Sequence, residues 1–135
     1  METSQLHIGL QPPSGTSDYF PLEMKAKNWL LDLWKKVSLR YAYSEYDSSI
    51  VENSALYTYK GGDDILKEMY SFELGGAKLS IRPEMTPTLA RMVLSKIQSE
   101  IKPVKWFSVP QCYRYENVSS DRRRDFYQWN VDSVG

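Results

Sequence analysis

The sequence offers few of the features that mark secreted, membrane or metal-binding proteins. Cys112 is its single cysteine in 135 residues, so no internal disulfide can form, and no Cys/His cluster has zinc-site spacing. No apolar run approaches the roughly 20 residues that a membrane-spanning helix needs. Lys and Arg total 17, as do Asp and Glu, which argues against a broad basic surface for nucleic acid. We expect no membrane contact and no protein-held metal.

Targeting signals are also missing from the start of the chain. Residues 1–15 have neither a basic opening nor a hydrophobic stretch, and they lack the arginines of a usual transit peptide. We expect a cytosolic location, with a mitochondrion or plastid as the alternative, and no role for His7. At the other end, Val131–Gly135 still has the pattern of a strand, which is unusual at a domain end. We therefore expect a truncated chain.

Apolar spacing predicts a long helix after Pro21. Its residues recur at three- and four-residue steps: Leu22, Ala26, Trp29, Leu30, Leu33, Val37 and Tyr41. Tyr43–Val51 is rich in aromatic and β-branched residues and predicts a strand. Residues 53–67 have a mixed pattern, in which Gly61–Asp64 predicts a turn.

A glycine pair and a capped helix start predict the middle of the chain. Met69–Leu74 and Ala77–Ile81 flank the Gly75-Gly76 pair, which suits a tight hairpin turn. The Thr86 hydroxyl and the Pro87 ring favour a helix start. The helical face that follows includes Ile97 and should end before Pro103.

The last third predicts two long strands, Val104–Glu116 and Arg124–Val134, around the polar loop 117–121. The order of helix, strand, hairpin, helix and long hairpin predicts an α+β domain on an antiparallel sheet.

Polar groups follow the even-numbered positions of these two strands, where side chains alternate between faces. The even set is Cys112, Arg114, Glu116, Phe126, Gln128, Asn130 and Asp132. Such a face can be merely solvated, as in many antiparallel sheets. However, Gln128 and Asp132 are short, directional groups, and Phe126 offers a ring for stacking. We interpret this face as a candidate ligand site.

Two further segments carry polar groups whose purpose the spacing leaves open. Glu84 and Thr86, on either side of Met85, lie where a strand gives way to a helix, a common place for ligand contacts. They can equally serve only the helix start, as a favourable charge and a cap. The run Arg122-Arg123-Arg124 can be a solvated loop or a phosphate-binding cluster.

Taken in order, these segments resemble class II aminoacyl-tRNA synthetases, and the histidyl-tRNA synthetase family in particular. Residues 18–51 are similar to motif 1, which builds the dimer interface of the class, and residues 104–134 to motif 2, its ATP-binding hairpin. The shorter matching segments are Pro13–Tyr19, Lys67–Phe72 and Ile81–Pro87. The resemblance implies that residues 1–135 form the N-terminal part of a catalytic domain: a class II-like antiparallel sheet flanked by helices. Motif 3 and the anticodon-binding domain would lie outside this chain.

The resemblance also implies roles at the ATP end. Arg114, the implied catalytic residue, would hold the ATP α-phosphate and the histidine carboxylate together. Glu116 would contact the adenine end, and Phe126 would stack on the base. Arg122 would touch the outer phosphates or the tRNA acceptor end, although loop 117–121 lacks the basic residue and glycine common there.

At the amino-acid end, the resemblance implies that Glu84, Thr86 and Gln128 receive the α-ammonium group of histidine, with Met85 in the same segment. Asp132 would face the imidazole, one methylene shorter than the Glu that many relatives carry.

The implied activity is that of a histidine–tRNA ligase, which uses ATP with Mg²⁺, L-histidine and tRNA(His) and acts as a homodimer. This chain alone is expected to be inactive. The alternative is a non-catalytic relative, such as the regulatory subunit of ATP phosphoribosyltransferase or a synthetase-like domain of a signalling kinase. A free-standing nucleic-acid module would need a broader basic surface than three arginines.

Overall fold

A computed structural model describes residues 9–96 and 98–135, and at 60–64 and 66 the backbone alone. His7 and Ile97 therefore lie outside the described residues. The helices are α1 (Pro21–Arg40), α2 (Ser54–Glu68) and α3 (Thr86–Lys96). The strands are β1 (Ser44–Glu45), β2 (Val51–Asn53), β3 (Ser71–Leu74), β4 (Ala77–Ile81), β5 (Val104–Ser108), β6 (Gln111–Tyr113), β7 (Asp125–Tyr127) and β8 (Asn130–Val134). None of the described helices is long and apolar enough to cross a membrane.

The two predicted long strands form one antiparallel ribbon. β5 pairs with β8 as far as Ser108 opposite Asn130, and β6 with β7 from Gln111 opposite Tyr127, in the same register. Strand pairing is interrupted at Pro110, which has no N–H to donate. The Gln128 N–H still donates to the Pro110 carbonyl at 3.0 Å, which keeps the two halves aligned. Alternate side chains therefore share a face along the whole ribbon.

Helix α1 covers the odd-numbered face of the ribbon. The rings of Trp34 and Trp129 stack with centroids 5.8 Å apart, and the Trp129 indole N–H donates to the Ser38 hydroxyl at 2.9 Å. Nearly two turns after the helix start, the Lys27 ammonium donates to the Tyr127 hydroxyl at 3.4 Å. Residue numbers at these contacts increase along both segments, so α1 runs in the same direction as the return strand. The predicted helix is confirmed, but the residues that contact the ribbon are not those of the apolar series, which is mostly exposed.

The even-numbered face is covered over part of its length. Leu89 and Val93 of α3 pack on Val104 in a buried cluster, joined by Tyr46 and Trp106. Ser108 and Cys112 on this face are also fully buried, whereas its remaining polar side chains are half-buried. These half-buried side chains are here called the polar floor: Arg114, Glu116, Gln128, Asn130 and Asp132, with the Phe126 ring among them.

The predicted strand Tyr43–Val51 is wrong as a single element. β1 pairs in parallel with β5, whereas β2 pairs antiparallel with β4 in another sheet. Between them the chain turns towards the buried Arg82, whose guanidinium donates to the Asp47 carboxylate and the Ser48 carbonyl, each at 3.0 Å. The sheet therefore contains one parallel pair, although the expected α+β fold of antiparallel strands with flanking helices is confirmed.

The two glycine-based predictions have opposite outcomes. The hairpin β3–β4 turns at Gly75 and Gly76 as predicted, with φ of 57° and 78°, conformations that glycine adopts without a steric cost. The turn predicted at Gly61–Asp64 is wrong, because this stretch lies inside α2. A glycine pair within an otherwise helical segment is tolerated when tertiary packing supports the helix.

Candidate functional site

The polar floor has a fixed order along the ribbon. The opposed pairs on the even face are Cys112 with Phe126, Ser108 with Asn130 and Trp106 with Asp132. Phe126 and Asp132 are six residues apart on one strand, which spans at most roughly 20 Å. The floor can therefore receive a ligand that lies lengthwise, with chemically different parts at its two ends.

Arg114 occupies one end of this floor and is held from several sides. Its Nε donates to the Pro83 carbonyl at 3.0 Å, and its guanidinium carbon lies 5.3 Å from the centroid of the Phe126 ring. One guanidinium nitrogen lies 3.6 Å from a Glu116 oxygen, and the side chain remains 30% exposed. A cation fixed in this way and open to solvent is well placed to meet an anion.

Glu116 lies between two arginines. Its carboxylate is 3.6 Å from Arg114 and 3.5 Å from Arg122, whose side chain is 70% exposed. Both distances are longer than a good charge-assisted hydrogen bond. Partly exposed pairs of this length are weak, so an anionic ligand can displace them at little cost.

In the middle of the floor, Gln128 is held by two neighbours. The Asn130 amide donates to Gln128 Oε1 at 3.2 Å, and the Cys112 thiol donates to the same oxygen at 3.7 Å. Burial raises the pKa of the Cys112 thiol to about 11, so it stays protonated at neutral pH. The charges of Arg82 and Arg114 lower the pKa of this thiol against the larger effect of burial, and the charge of Glu84 raises it.

Asp132 lies at the far end of the floor, where burial raises its pKa. The hydroxyls of Tyr46 and Ser108 are buried there without a hydrogen-bond partner among the described residues. They lie close to each other without meeting hydrogen-bond geometry. Burial raises the pKa of Tyr46, the nearby Ser108 hydroxyl lowers it in part, and the Asp132 charge adds a smaller increase. Buried polar groups are normally satisfied, so this end has unused hydrogen-bonding capacity.

The segment before α3 is split in its exposure. Glu84 and Thr86 are half-buried, whereas the Met85 side chain is fully buried, with its sulfur 3.9 Å from a guanidinium nitrogen of Arg82. Any ligand contact of Met85 must therefore use its main chain. The Met85 carbonyl already accepts from the Leu89 N–H at 2.9 Å. The Met85 N–H is therefore the main-chain group with which a ligand would make contact.

The three consecutive arginines do not act as one cluster. Arg122 faces Glu116 and Arg123 is exposed, whereas Arg124 is half-buried. The Arg124 guanidinium donates to the Ser14 carbonyl at 2.9 Å and lies 4.0 Å from the Tyr115 ring centroid. Arg124 is thus occupied by protein contacts.

Arg82 has a structural role that the sequence did not reveal. It is 3% exposed, and its Nε donates to the Gln111 carbonyl at 2.9 Å, in addition to its bonds to Asp47 and Ser48. It joins β4, β6 and the segment between β1 and β2. Arg82 directly follows β4 and precedes Pro83, and nothing in that local sequence distinguishes it from an exposed arginine.

The chain matches the family model described as tRNA synthetases class II core domain (F) over residues 11–135. It is 44% identical over 129 residues to the Arabidopsis thaliana protein named histidine–tRNA ligase, chloroplastic/mitochondrial, which covers 95% of this chain and 26% of that protein. It spans about a quarter of the length of the curated relatives it matches.

Solved structures with the same fold include the histidyl-tRNA synthetase of Nostoc sp. PCC 7120, with a TM-score of 0.79 at 23% identity over 94% of this chain and 29% of that one. Another is an ATP phosphoribosyltransferase regulatory subunit/histidyl-tRNA synthetase from Bacillus halodurans C, with a TM-score of 0.79 at 21% identity over 93% and 32%. At these identities the likeness concerns the fold.

Proposed function

Because the chain belongs to the class II tRNA synthetase core domain family, we propose that it forms the first part of the catalytic domain of a histidine–tRNA ligase. The proposed reaction activates L-histidine with ATP and then transfers the histidyl group to tRNA(His). The relatives that match along most of this chain carry that name, which supports the choice of amino acid.

The position of Arg114 is the observation that carries the proposal. In the proposed first step, a carboxylate oxygen of histidine attacks the α-phosphorus of ATP. The new O–P bond forms as the bond to the β-phosphate oxygen breaks, and pyrophosphate leaves. Two anions must approach each other, so a fixed guanidinium lowers the barrier by neutralising and orienting both. Arg114 has this fixed position between the Pro83 carbonyl and the Phe126 ring.

The ATP end of the floor would consist of Arg114, Glu116, Phe126 and Arg122. The adenine would stack on Phe126 and the outer phosphates would meet Arg122, while Glu116 would turn from its weak ion pairs to the adenine end. Aromatic stacking and a two-pronged arginine suit a base and a phosphate respectively.

The histidine end would run from Gln128 to Asp132. Glu84, Thr86 and Gln128 would receive the α-ammonium group, with the Met85 N–H alongside. Asp132 would accept the imidazole N–H, and the unsatisfied hydroxyls of Tyr46 and Ser108 add hydrogen-bonding capacity at that end. A buried carboxylate selects for the ring N–H, because an analogue without it leaves the acceptor unpaired.

Magnesium would enter this site as part of the substrate. Among the residues that the structure describes, no group of three His, Cys, Asp or Glu side chains could hold a metal ion. Glu116, the carboxylate nearest the proposed phosphates, already faces Arg114 and Arg122. We propose that Mg²⁺ arrives with ATP and bridges its phosphate oxygens.

The proposed partner of α1 is a second copy of the chain. Leu22 and Trp29 of this helix are 78% and 68% exposed, and Leu33 is 42% exposed. A row of exposed apolar side chains on one helix is typical of an interface. For tRNA, Arg122 and Arg123 are the proposed contacts. The proposed location is the cytosol, with an organelle as the alternative, as in the name of the Arabidopsis relative.

Histidine-dependent exchange of pyrophosphate into ATP tests the proposal. We expect exchange from a full-length enzyme that carries this sequence, and none from the 135-residue chain alone. Arg114→Ala should lower the exchange rate by about 10²–10³-fold, the usual cost of losing one charge-stabilising group, while histidine affinity changes much less. Lys78→Ala, which removes an exposed cation on β4, is the control.

Two outcomes contradict this proposal. Equal losses of exchange and of histidine binding in Arg114→Ala would remove the catalytic role of Arg114. Histidine binding by the full-length protein without any exchange would favour a regulatory, non-catalytic relative.

A further inference from the structure

We propose that Pro13–Ser17, here called the N-terminal clamp, positions the ATP end of the ribbon, and that Arg124 acts through this clamp rather than by binding phosphate. The part that concerns ATP rests on the proposed function. The positioning itself concerns this chain alone and can be measured without a ligand.

The clamp occupies the open edge of the return strand beside β7. The Arg124 N–H donates to the Gly15 carbonyl at 2.7 Å. On its other edge, the Arg124 carbonyl accepts from the Arg114 N–H at 2.8 Å. A single residue therefore connects the clamp to Arg114, and a shift of the clamp must shift the backbone of Arg114.

The Arg124 side chain reinforces this connection. Its Nη1 donates to the Ser14 carbonyl at 2.9 Å and its Nε to the Glu116 carbonyl at 3.3 Å, while its guanidinium carbon lies 4.0 Å from the centroid of the Tyr115 ring. Two carbonyls and an aromatic face thus occupy the guanidinium. These contacts hold the guanidinium against Ser14, Tyr115 and Glu116, so its position depends on the clamp.

Asp125 fixes the other end of the clamp. This residue is 7% exposed, and its carboxylate accepts from the Ser17 N–H at 3.1 Å and from the Ser17 hydroxyl at 3.4 Å. A buried carboxylate without partners is costly, so these bonds strongly favour the closed arrangement.

Gly15 allows the clamp to lie this close. Its φ is +83°, and a Cβ there would lie 2.7 Å from Cγ2 of Val118 and 2.9 Å from Cδ of Arg124. Val118 belongs to the hairpin loop that joins Glu116 to Arg122. The clamp therefore touches both the strand and the loop that carry the proposed ATP contacts. Among the described residues, none of its hydrogen bonds involves Gln128 or Asp132 at the histidine end.

The experiment uses Gly15→Ala and Ser17→Ala in the 135-residue chain. The control is Thr16→Val, because the Thr16 hydroxyl donates only to the Pro13 carbonyl within the clamp. Amide hydrogen exchange, which reports local opening, should accelerate about tenfold at Arg114 and Ser119 in the two clamp variants. The rate of amide hydrogen exchange should stay unchanged in α3 of these variants and throughout the Thr16→Val control. Should Gly15→Ala fail to fold, Ser17→Ala keeps the test.

Ligand binding by a full-length enzyme that carries this sequence gives the second measurement. In both clamp variants the dissociation constant of ATP should rise by about tenfold, equivalent to 1.4 kcal/mol, while that of L-histidine stays within about twofold. A merely structural role would weaken the binding of both ligands together and accelerate hydrogen exchange in α3 as well; either result overturns the proposal. An Arg124→Lys variant that binds ATP more weakly, but whose amide at Arg114 exchanges no faster, overturns it too. Faster hydrogen exchange at Arg114, together with a full-length enzyme that binds neither ligand, supports the clamp and removes the proposed function.

Discussion

Asp132 has the surroundings that most oppose its own charge. Burial raises its pKa, and no ion pair for it occurs among the described residues. In the folded chain the carboxyl holds its proton more tightly than in the unfolded chain. It therefore stabilises the fold below its ordinary pKa of 3.8, and this contribution is lost as the pH rises through the raised value. Because burial disfavours the ionised form of Asp132, a ligand that donates a hydrogen bond to this carboxylate would be bound favourably.

We expect Asp132→Asn to increase the free energy of unfolding at pH 7 relative to the native chain, with the difference vanishing below pH about 4. Urea unfolding at a series of pH values measures this, and histidine binding should be lost in the same variant. Asp121→Asn is a control that should change the free energy of unfolding at pH 7 in the opposite direction, because a hydrogen bond from Ser119 lowers the pKa of Asp121. A native chain more stable than Asp132→Asn at pH 7 would contradict this account of Asp132.

At the scale of elements, the fold depends on one buried arginine that joins three of them. Arg82 satisfies the carbonyls of Ser48 and Gln111 and pairs with Asp47, whose own side chain is 72% exposed. The carbonyls of two half-buried residues would lose their donor if the guanidinium were removed. The charge of Asp47 would remain solvated, so the cost comes from the carbonyls.

We expect Arg82→Met to lower the free energy of unfolding by about 1–3 kcal/mol, the cost of leaving two half-buried carbonyl acceptors without their donor. Lys35→Met is the control, since it removes a half-exposed pair with Glu45 worth less than about 1 kcal/mol. Chemical denaturation of both variants gives the comparison. Similar losses in the two would show that Arg82 acts as an ordinary surface cation.

Elements with strong local signals could be predicted from the sequence. The apolar spacing of α1, the Gly75-Gly76 turn and the alternation along the ribbon all survive folding, because each is set by neighbours in the sequence. The split of Tyr43–Val51 could not be predicted, since it depends on Arg82, a residue distant in sequence. The same holds within the site. Alternation placed Arg114 and Asp132 on one face. The different contacts of Arg122, Arg123 and Arg124 could not be predicted, because they depend on how residues 13–17 pack in the folded chain.

At the scale of the whole molecule, the ribbon separates two surfaces. One face carries the polar floor, and the other rests on α1, whose outer side chains are apolar and exposed. The proposed dimer would cover those side chains while the floor stays open. Assembly and ligand binding would thus use opposite sides of a two-stranded wall.

We expect Trp29→Lys to weaken self-association of the chain by on the order of 30-fold, because a buried tryptophan at an interface typically contributes about 2 kcal/mol. Leu94→Lys is a matched control, since Leu94 on α3 is 67% exposed and Trp29 is 68% exposed. Sedimentation equilibrium measures both. A chain that remains monomeric at every concentration, or equal losses in the two variants, would rule out α1 as the interface.

The uninterrupted register through Pro110 constrains how this sequence can vary in length. Inserting or deleting one residue at Val109 would rotate everything from Pro110 to Glu116 onto the opposite face, because side chains alternate with a period of two. Arg114 and Cys112 would then point at the helix, and the aromatic rings would point at the ligand. Within the ribbon, length changes are tolerable only in the loop at 117–121. Divergent relatives should therefore gain or lose residues in this loop and keep the two paired strands at a fixed length.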